Sequence, residues 1–543
     1  MPELILGPLL RYVGQVDATV WVETDRPCAV EVLGRRADTF HVAGHHYALV
    51  VVAGLEPGAS YEYGVLLDGE RRWPDSSMPF PASRICTLDP DRGLTVAFGS
   101  CRIAAPHHGP YVLERREHRR GRGVDALRAL ALRMRDQPPE DWPSLLLMLG
   151  DQVYADAASP QTRAFIRSRR ATGSPPGEEA ADFEEYTHLY REAWSDPPIR
   201  WLLSTVPTAM IFDDHEVIDD WNTSAAWRRE IRAQPWWEDR VVGALMSYWI
   251  YQHLGNLSPH ELSRDRWYQQ VHGVEDAGPM LKEVAMTADR TTAGSRWSYR
   301  RQLGRSHLVV IDSRAGRLLE GARRDMVDEE EWRWLESELR GDVDHLLVAT
   351  SLPFLLPPAI HDLEAWDEAI CAGAWGARAA RLGEGVRRAI DLEHWAAFSS
   401  SFDRLARTLR DVATGQRGSA PACIVVLSGD VHYAYLAQAS FHGALGQSKT
   451  YQAVCSPFRH PLDAPLKLAN RVAFSRVVER LCALLARSAR LPPPPLSWKI
   501  ERGPYFANEV ATLELSGRKA RLRLERTPQR QPRLDCVAED VLT

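Results

Sequence analysis

The stretch Phe212-Asp213-Asp214-His215-Glu216-Val217-Ile218-Asp219-Asp220-Trp221-Asn222 crowds five acids and one histidine into eight positions. Carboxylates this close repel one another unless a cation sits among them. The acids are therefore candidate metal donors. The histidine is a candidate proton carrier, since its ordinary pKa lies near neutrality. Three other stretches carry related chemistry: Gly99-Ser100-Cys101-Arg102, Gly150-Asp151-Gln152-Val153-Tyr154-Ala155-Asp156 and Ser428-Gly429-Asp430-Val431-His432-Tyr433. Together the four offer thiol, carboxylate, phenol and imidazole groups, which are metal-ligand types.

Each stretch directly follows an apolar run, at 94–98, 145–149, 208–212 and 424–427. Further runs lie at 307–311 and 346–350. Near-continuous apolar strands are buried on both faces, as in layered α/β folds. Between them, Val124, Leu127, Leu130 and Met134 have helical spacing, and so do Trp332, Leu335 and Leu339. Residues 465–490 also read as helical, while 510–515 and 520–524 read as closing strands. Ligand sites of α/β sheets lie outside the carboxyl ends of the strands, so the four tips should converge on one point. A single Gly-Asp after a strand is commonly only a turn. Four ligand-rich tips in succession are hard to produce by chance.

Residues 1–88 have a different texture. Short alternating runs such as Ala18-Thr19-Val20-Trp21-Val22-Glu23 and Ala29-Val30-Glu31-Val32, with turns between them, read as a β-sandwich. Leu55 to Tyr63 resembles the tyrosine-corner segment of fibronectin type III-like domains. The expected organisation is a β-domain over 1–88 and an α/β domain over 89–543, with a helical insertion or lid near 157–205.

The bulk properties fit a globular chain. It has 543 residues, 45% hydrophobic and 25% charged, with a net charge of −6 that does not recruit nucleic acid electrostatically. The eight cysteines have no framework spacing, which reads as reduced thiols. No basic n-region followed by an apolar stretch opens the sequence, and no apolar run approaches a membrane span. The expectation is a cytoplasmic protein with no membrane span. Oligomeric state is left open.

The four tips, FGSCR, GDQVYAD, FDDHEVIDD and SGDVHYA, resemble the PhoD-like (alkaline phosphatase D) branch of the metallophosphoesterases, whose pattern is GSC, GDxxY, DDHE and GDxH. The resemblance spans almost the whole chain, since the branch also carries a small N-terminal β-domain. It implies a four-layer αββα catalytic domain with a bridged dinuclear or larger metal centre that hydrolyses small-molecule phosphate esters, mono- or diesters. Carried over residue by residue, it makes Cys101, Asp151, Tyr154, Asp214, Asp430 and His432 metal ligands, with Asp151 suited to bridging. Thiolate and phenolate ligands need a strongly Lewis-acidic cation to deprotonate them, which favours Fe³⁺. Asp214 and Asp430 stand where the wider superfamily carries Asn and His. Carboxylates favour a hard divalent ion, Ca²⁺ first, with Mn²⁺, Mg²⁺ or Zn²⁺ as alternatives.

His215 is read as the general acid, its tautomer held by Asp213 or Glu216. Asp219 and Asp220 read as capping or tethering residues. Arg314, in the Asp-x-Arg strand end Asp312-Ser313-Arg314, is a candidate for substrate phosphate or for a structural ion pair. The superfamily's metal-binding His after a middle strand is missing, where this sequence has Thr350-Ser351-Leu352, so Ser351 is a substitute candidate. The competing reading is a non-catalytic phosphate- or nucleotide-binding protein on the same fold.

Overall fold

The computed structural model describes all residues except 76, 293–295, 321–323 and 444–446. The first three tip-bearing runs form the parallel strands Leu94–Gly99, Leu145–Leu149 and Thr208–Ile211. The antiparallel strands Glu509–Ser516, Lys519–Arg526 and Asp535–Val541 extend them into a six-stranded sheet. The other runs form a second, seven-stranded sheet, whose centre is the parallel set Ser306–Ile311, His345–Thr350, Cys423–Ser428 and Lys449–Val454.

Alternate side chains of a strand face opposite sides, and the second sheet uses both sides apolarly. Leu308, Val310, Leu347, Ala349, Val425 and Leu427 enter the core shared with the first sheet. Val309, Ile311, Leu346, Val348, Ile424 and Val426 meet the helices Glu329–Glu338 and Ser399–Ala413 instead. The helices Ala126–Arg135 and Pro197–Thr205 line the far side of the first sheet. The result is the expected four-layer αββα arrangement. Five strands of these two sheets have no counterpart in the sequence reading: Tyr299–Leu303, Ala434–Phe441, Lys449–Val454, Leu496–Tyr505 and Asp535–Val541. Three of them, Tyr299–Leu303, Leu496–Tyr505 and Asp535–Val541, are polar edge strands.

Residues 157–205 hold three helices, Pro160–Arg169, Phe183–Trp194 and Pro197–Thr205. The last two bury Tyr190, Trp194, Trp201 and Leu202 in the main core, so they belong to a helical layer and do not form a cover.

The N-terminal residues form two four-stranded sheets around Leu10, Val20, Val30, Val50, Val65 and Trp73. At the expected corner, the Tyr61 hydroxyl accepts a hydrogen bond from the Glu56 amide at 2.9 Å. The outer face of one sheet is also apolar. Trp21, Tyr47 and Leu49 sit in the main core, with the Trp21 ring 5.1 Å from that of Tyr251. Arg11, fully buried, donates to the carbonyls of Tyr251 and Gln252. Those carbonyls belong to a π-helical turn, Tyr248–His253, that continues the helix Trp237–Ser247.

His45 also ties the two parts together. Its ring nitrogens lie 2.9 Å from Glu23 and 2.8 Å from Glu184. Burial alone would lower its pKa, but Glu184 and Glu23 outweigh burial and lift it to about 9. A folded value above the unfolded one gives stability that is full below about pH 6.5 and is lost as pH rises through the folded value. The thermal-stability gap between wild type and His45→Gln should therefore be widest near about pH 6 and close by about pH 10. A gap independent of pH in scanning fluorimetry would contradict this linkage.

Candidate metal centre

The carboxyl ends of the parallel strands in both sheets lie along one edge, and all four tips leave from it. Cys101, Asp151, Asp430 and His432 take left-handed backbone angles, with φ of 54°, 56°, 64° and 56°. Such angles cost a non-glycine residue of order 1–3 kcal/mol, and they persist only where the surroundings enforce them. Here they turn the side chains back toward one another. Backbone bonds lace the tips together: Cys101 N donates to Gly150 O at 3.2 Å, and Arg102 N to Asp151 O at 3.0 Å. Asp430 N donates to Ser100 Oγ at 3.0 Å. Two glycines permit the approach. A Cβ on Gly150 would lie 2.6 Å from Asp213 Cβ, and one on Gly429 would lie 2.0 Å from Ser100 Oγ.

Glu216 holds two tips at once. Its carboxylate accepts from the amides of Asp151, Gln152 and Asp213 at 2.8–2.9 Å. Gln252, from the π-helical turn, donates to it at 3.1 Å. Asp213 is paired with the buried guanidinium of Arg314. Arg314 also meets Glu393 at 2.5 Å, Asp214 at 3.3 Å and Asp430 at 3.9 Å. Its donors are directed at protein carboxylates, which is the ion-pair arrangement.

Three sets of donor atoms each fall within 4.8 Å of one another: Cys101, Asp151 and Asp430; Asp151, Asp214 and His215; and Asp213, Asp214 and Asp430. Asp151, Asp214 and Asp430 each belong to two sets, as shared ligands of neighbouring cations would. The Tyr154 hydroxyl lies 3.2 Å from Asp151 Oδ2. Asp151 Oδ1, Asp213 Oδ2 and Asp214 Oδ1 are buried without a hydrogen bond, an arrangement that is costly without a further partner. Burial, reinforced by Asp151, pushes the Cys101 thiol and the Tyr154 phenol well above their ordinary pKa values. Burial also raises Asp151, Asp213 and Asp214. Asp430 is the exception. Burial would raise it, but His394 and Arg314 hold it below the usual carboxylate range. A compact, acid-rich pocket with unsatisfied oxygens fits metal cations.

The Nδ1 of His215 lies 2.8 Å from Asp156 Oδ2, so the residue that orients the ring is Asp156 and not Asp213 or Glu216. Asp156 also accepts from the Asp219 amide at 2.8 Å, and Asp220 N donates to Asp214 Oδ2 at 3.0 Å. Burial would depress the His215 pKa, but Asp156, Asp214 and Asp151 outweigh it and raise it well above the ordinary value. His432 stands outside the three donor sets, with its Nδ1 3.2 Å from His460 Nδ1. Ser351 Oγ is hydrogen-bonded to Ser313 Oγ at 2.8 Å.

Sequence reasoning missed His394 and His460. His394 donates from Nδ1 to Glu364 at 2.7 Å, and its Nε2 lies 3.5 Å from Asp430. The His460 ring stacks on Tyr154 at 5.2 Å. His460 follows the unrecognised strand Lys449–Val454, so its tip went unread. His394 follows the helix Ala377–Ala389 and has no strand to mark it.

A family model described as PhoD-like phosphatase matches residues 132–458. The chain belongs to the PhoD-like phosphatase family. That makes it a phosphatase-type enzyme, and the acidic clusters imply metal cofactors. Residues 1–85 match a domain of unknown function, DUF7800. A solved structure described as "Structure of PhoD" aligns with a TM-score of 0.59 at 14% identity, over 98% of this chain and 89% of that one. At that identity the likeness concerns the fold. A dimetal phosphatase from Danio rerio aligns with a TM-score of 0.33 at 11% identity, over 83% of this chain and 99% of its own. A search of curated proteins returned no match.

In the metal-free chain, burial lifts Glu216 to about 7, and burial with Glu393 and Asp391 lifts Asp220 to about 8. An acid raised on folding gives stability that is full below its unfolded pKa and is lost as pH rises through the folded value. Metal-stripped protein should therefore lose stability between about pH 4 and about pH 8, and the gain on re-adding metal should grow over that window. Asp151→Asn should stabilise the stripped chain at the upper end and abolish most of that gain. Thermal melts with and without chelator check both. A gain that stays flat with pH, or that survives in Asp151→Asn, would contradict it.

Proposed function

We propose that this chain is a metal-dependent phosphoesterase acting on a small phosphate ester, and that the sharing of Asp151, Asp214 and Asp430 between donor sets is the observation carrying this reading. Cys101, Asp151 and Tyr154 would hold Fe³⁺. Asp151, Asp214 and Asp430 would hold a hard divalent ion, with Ca²⁺ best suited to the carboxylate set. The raised pKa values of Cys101 and Tyr154 support the first choice. Only a strongly Lewis-acidic cation keeps both deprotonated near neutral pH. When bound, the cations polarise the phosphoryl oxygens and acidify an attacking water.

The chain's own residues supply the rest. His215, whose pKa its acidic neighbours raise, is placed to give its proton to the leaving alkoxide as the P–O bond breaks. Asp156 fixes which ring nitrogen is free to donate. Arg314 keeps Asp213, Asp214, Glu393 and Asp430 from repelling one another, with no call on it to touch substrate. His432 and His460 border the Tyr154 side of the pocket.

Purified protein should hydrolyse an aryl phosphate or bis-aryl phosphate, and comparing the two assigns mono- or diesterase preference. Asp151→Ala should abolish turnover, whereas full activity in that variant or in stripped protein would overturn the proposal. His215→Asn should lower kcat by about 10²–10⁴-fold for poor leaving groups and far less for nitrophenolate. Asp156→Asn should cost about 10–100-fold. A loss in His215→Asn that is the same for every leaving group would remove its role as proton donor. A visible charge-transfer band lost in Tyr154→Phe would mark the phenolate on ferric iron. Its absence in active wild type would remove Fe³⁺ from the proposal.

A further inference from the structure

Two helices, Ala464–Ala473 and Arg476–Ser488, form a hairpin that begins just after His460. The second packs one face, including Cys482 and Ala486, against the body at the helix Pro358–Cys371. Its other apolar stripe faces out, with Val477 68%, Leu481 57% and Leu484 59% exposed. The first helix buries none of its residues and leaves Leu466, Leu468 and Val472 exposed. The helix Ala377–Ala389 adds Leu382, 74% exposed, and Val386, with Ile390 just beyond its end. Trp375, at its start, reaches the hairpin through Ser488 O at 3.4 Å. Solvent-facing leucine and valine repeated at helical spacing is apolar surface in search of a partner.

The charges say what kind of partner. The hairpin carries Lys467, Arg471, Arg476, Arg480 and Arg487 against the single acid Glu479, in a chain whose net charge is −6. A cavity of about 1010 Å³ opens beside the first helix. Of its cations, Arg115, Arg116 and Arg530 are paired with Asp463, Glu114 and Glu117. Lys467, Arg471 and Arg526 line it without an ion pair among the described residues. Exposed leucines beside arginines, above a basic cavity, are the features of a helix pair lying in a lipid headgroup layer. Arginine is also common at protein interfaces, but five cations against one acid match the phosphates of an anionic headgroup layer.

We propose that this hairpin, flanked by the helix Ala377–Ala389, docks the protein on an anionic phospholipid bilayer. Its apolar stripe enters the acyl boundary, and Lys467, Arg471, Arg476 and Arg480 meet lipid phosphates. The hairpin starts four residues after His460, and Ala377–Ala389 ends shortly before Glu393 and His394. The proposal concerns binding and does not depend on turnover.

The test is co-sedimentation of the full chain with vesicles of phosphatidylcholine alone or mixed with phosphatidylglycerol. Wild type should pellet with the mixed vesicles at low salt and remain in solution with phosphatidylcholine. Leu481→Glu/Leu484→Glu should abolish pelleting, and Arg476→Gln/Arg480→Gln should weaken it by roughly tenfold or more. These positions are exposed, so melting temperature and aryl phosphate turnover should not change. No pelleting of wild type with the mixed vesicles overturns the proposal without reference to any variant. So does undiminished pelleting of a folded Leu481→Glu/Leu484→Glu protein. A wild-type dimer in sedimentation velocity that this variant dissociates would assign the face to a second copy, which also overturns it.

Discussion

The repulsion among buried carboxylates is the constraint around which this structure is arranged. Asp151, Asp213, Asp214, Glu393 and Asp430 are buried or nearly so, and one guanidinium, Arg314, faces four of them. At an effective dielectric of 20, two like charges about 5 Å apart cost about 3 kcal/mol. One arginine cannot neutralise the set, and Asp151, Asp213 and Asp214 are each left with a buried oxygen that makes no hydrogen bond. The protein thus builds an electrostatic deficit that cations are suited to fill. In the metal-free chain the same deficit raises the His215 pKa well above its ordinary value.

Holding that deficit requires rigidity, and the sources of rigidity reach far from the pocket. The left-handed residues Cys101, Asp151 and Asp430 aim their donors inward, which only a tightly packed surround can enforce. Glu216 pins two tips through three amides, Gln252 pins Glu216, and the π-helical turn that carries Gln252 is fastened by Arg11 of the N-terminal sheet. The β-domain holds no candidate catalytic group. By this chain of bonds it is a buttress for the site, which gives its doubly apolar sheet a structural reason.

Much of this was legible in the sequence because apolar strands and the polar residues at their ends are local patterns. The α/β class, the four tips and the convergence of Cys101, Asp151, Tyr154, Asp214, His215 and Asp430 follow from order along the chain, while the four-layer arrangement is what the family resemblance implies. What local pattern cannot show is who meets whom across the sheet. Asp156, not its neighbours in FDDHE, orients His215, because a strand tip 59 residues earlier in the chain folds against it. Arg314 was equally open to a substrate or a structural role until its acids were seen around it. His460 was hidden behind a strand whose lysine and glutamine broke the apolar run, and His394 behind a helix end with no strand to announce it.

The central claim, that these residues form a shared two-cation centre, is tested most directly by anomalous diffraction from crystals of active protein. Data collected on both sides of the iron edge should show one iron peak bordered by Cys101, Asp151 and Tyr154. A second peak, insensitive to that edge, should lie on the Asp214 and Asp430 side of Asp151. Active protein with no anomalous peak at these residues, or with its metal bound elsewhere, would contradict the claim.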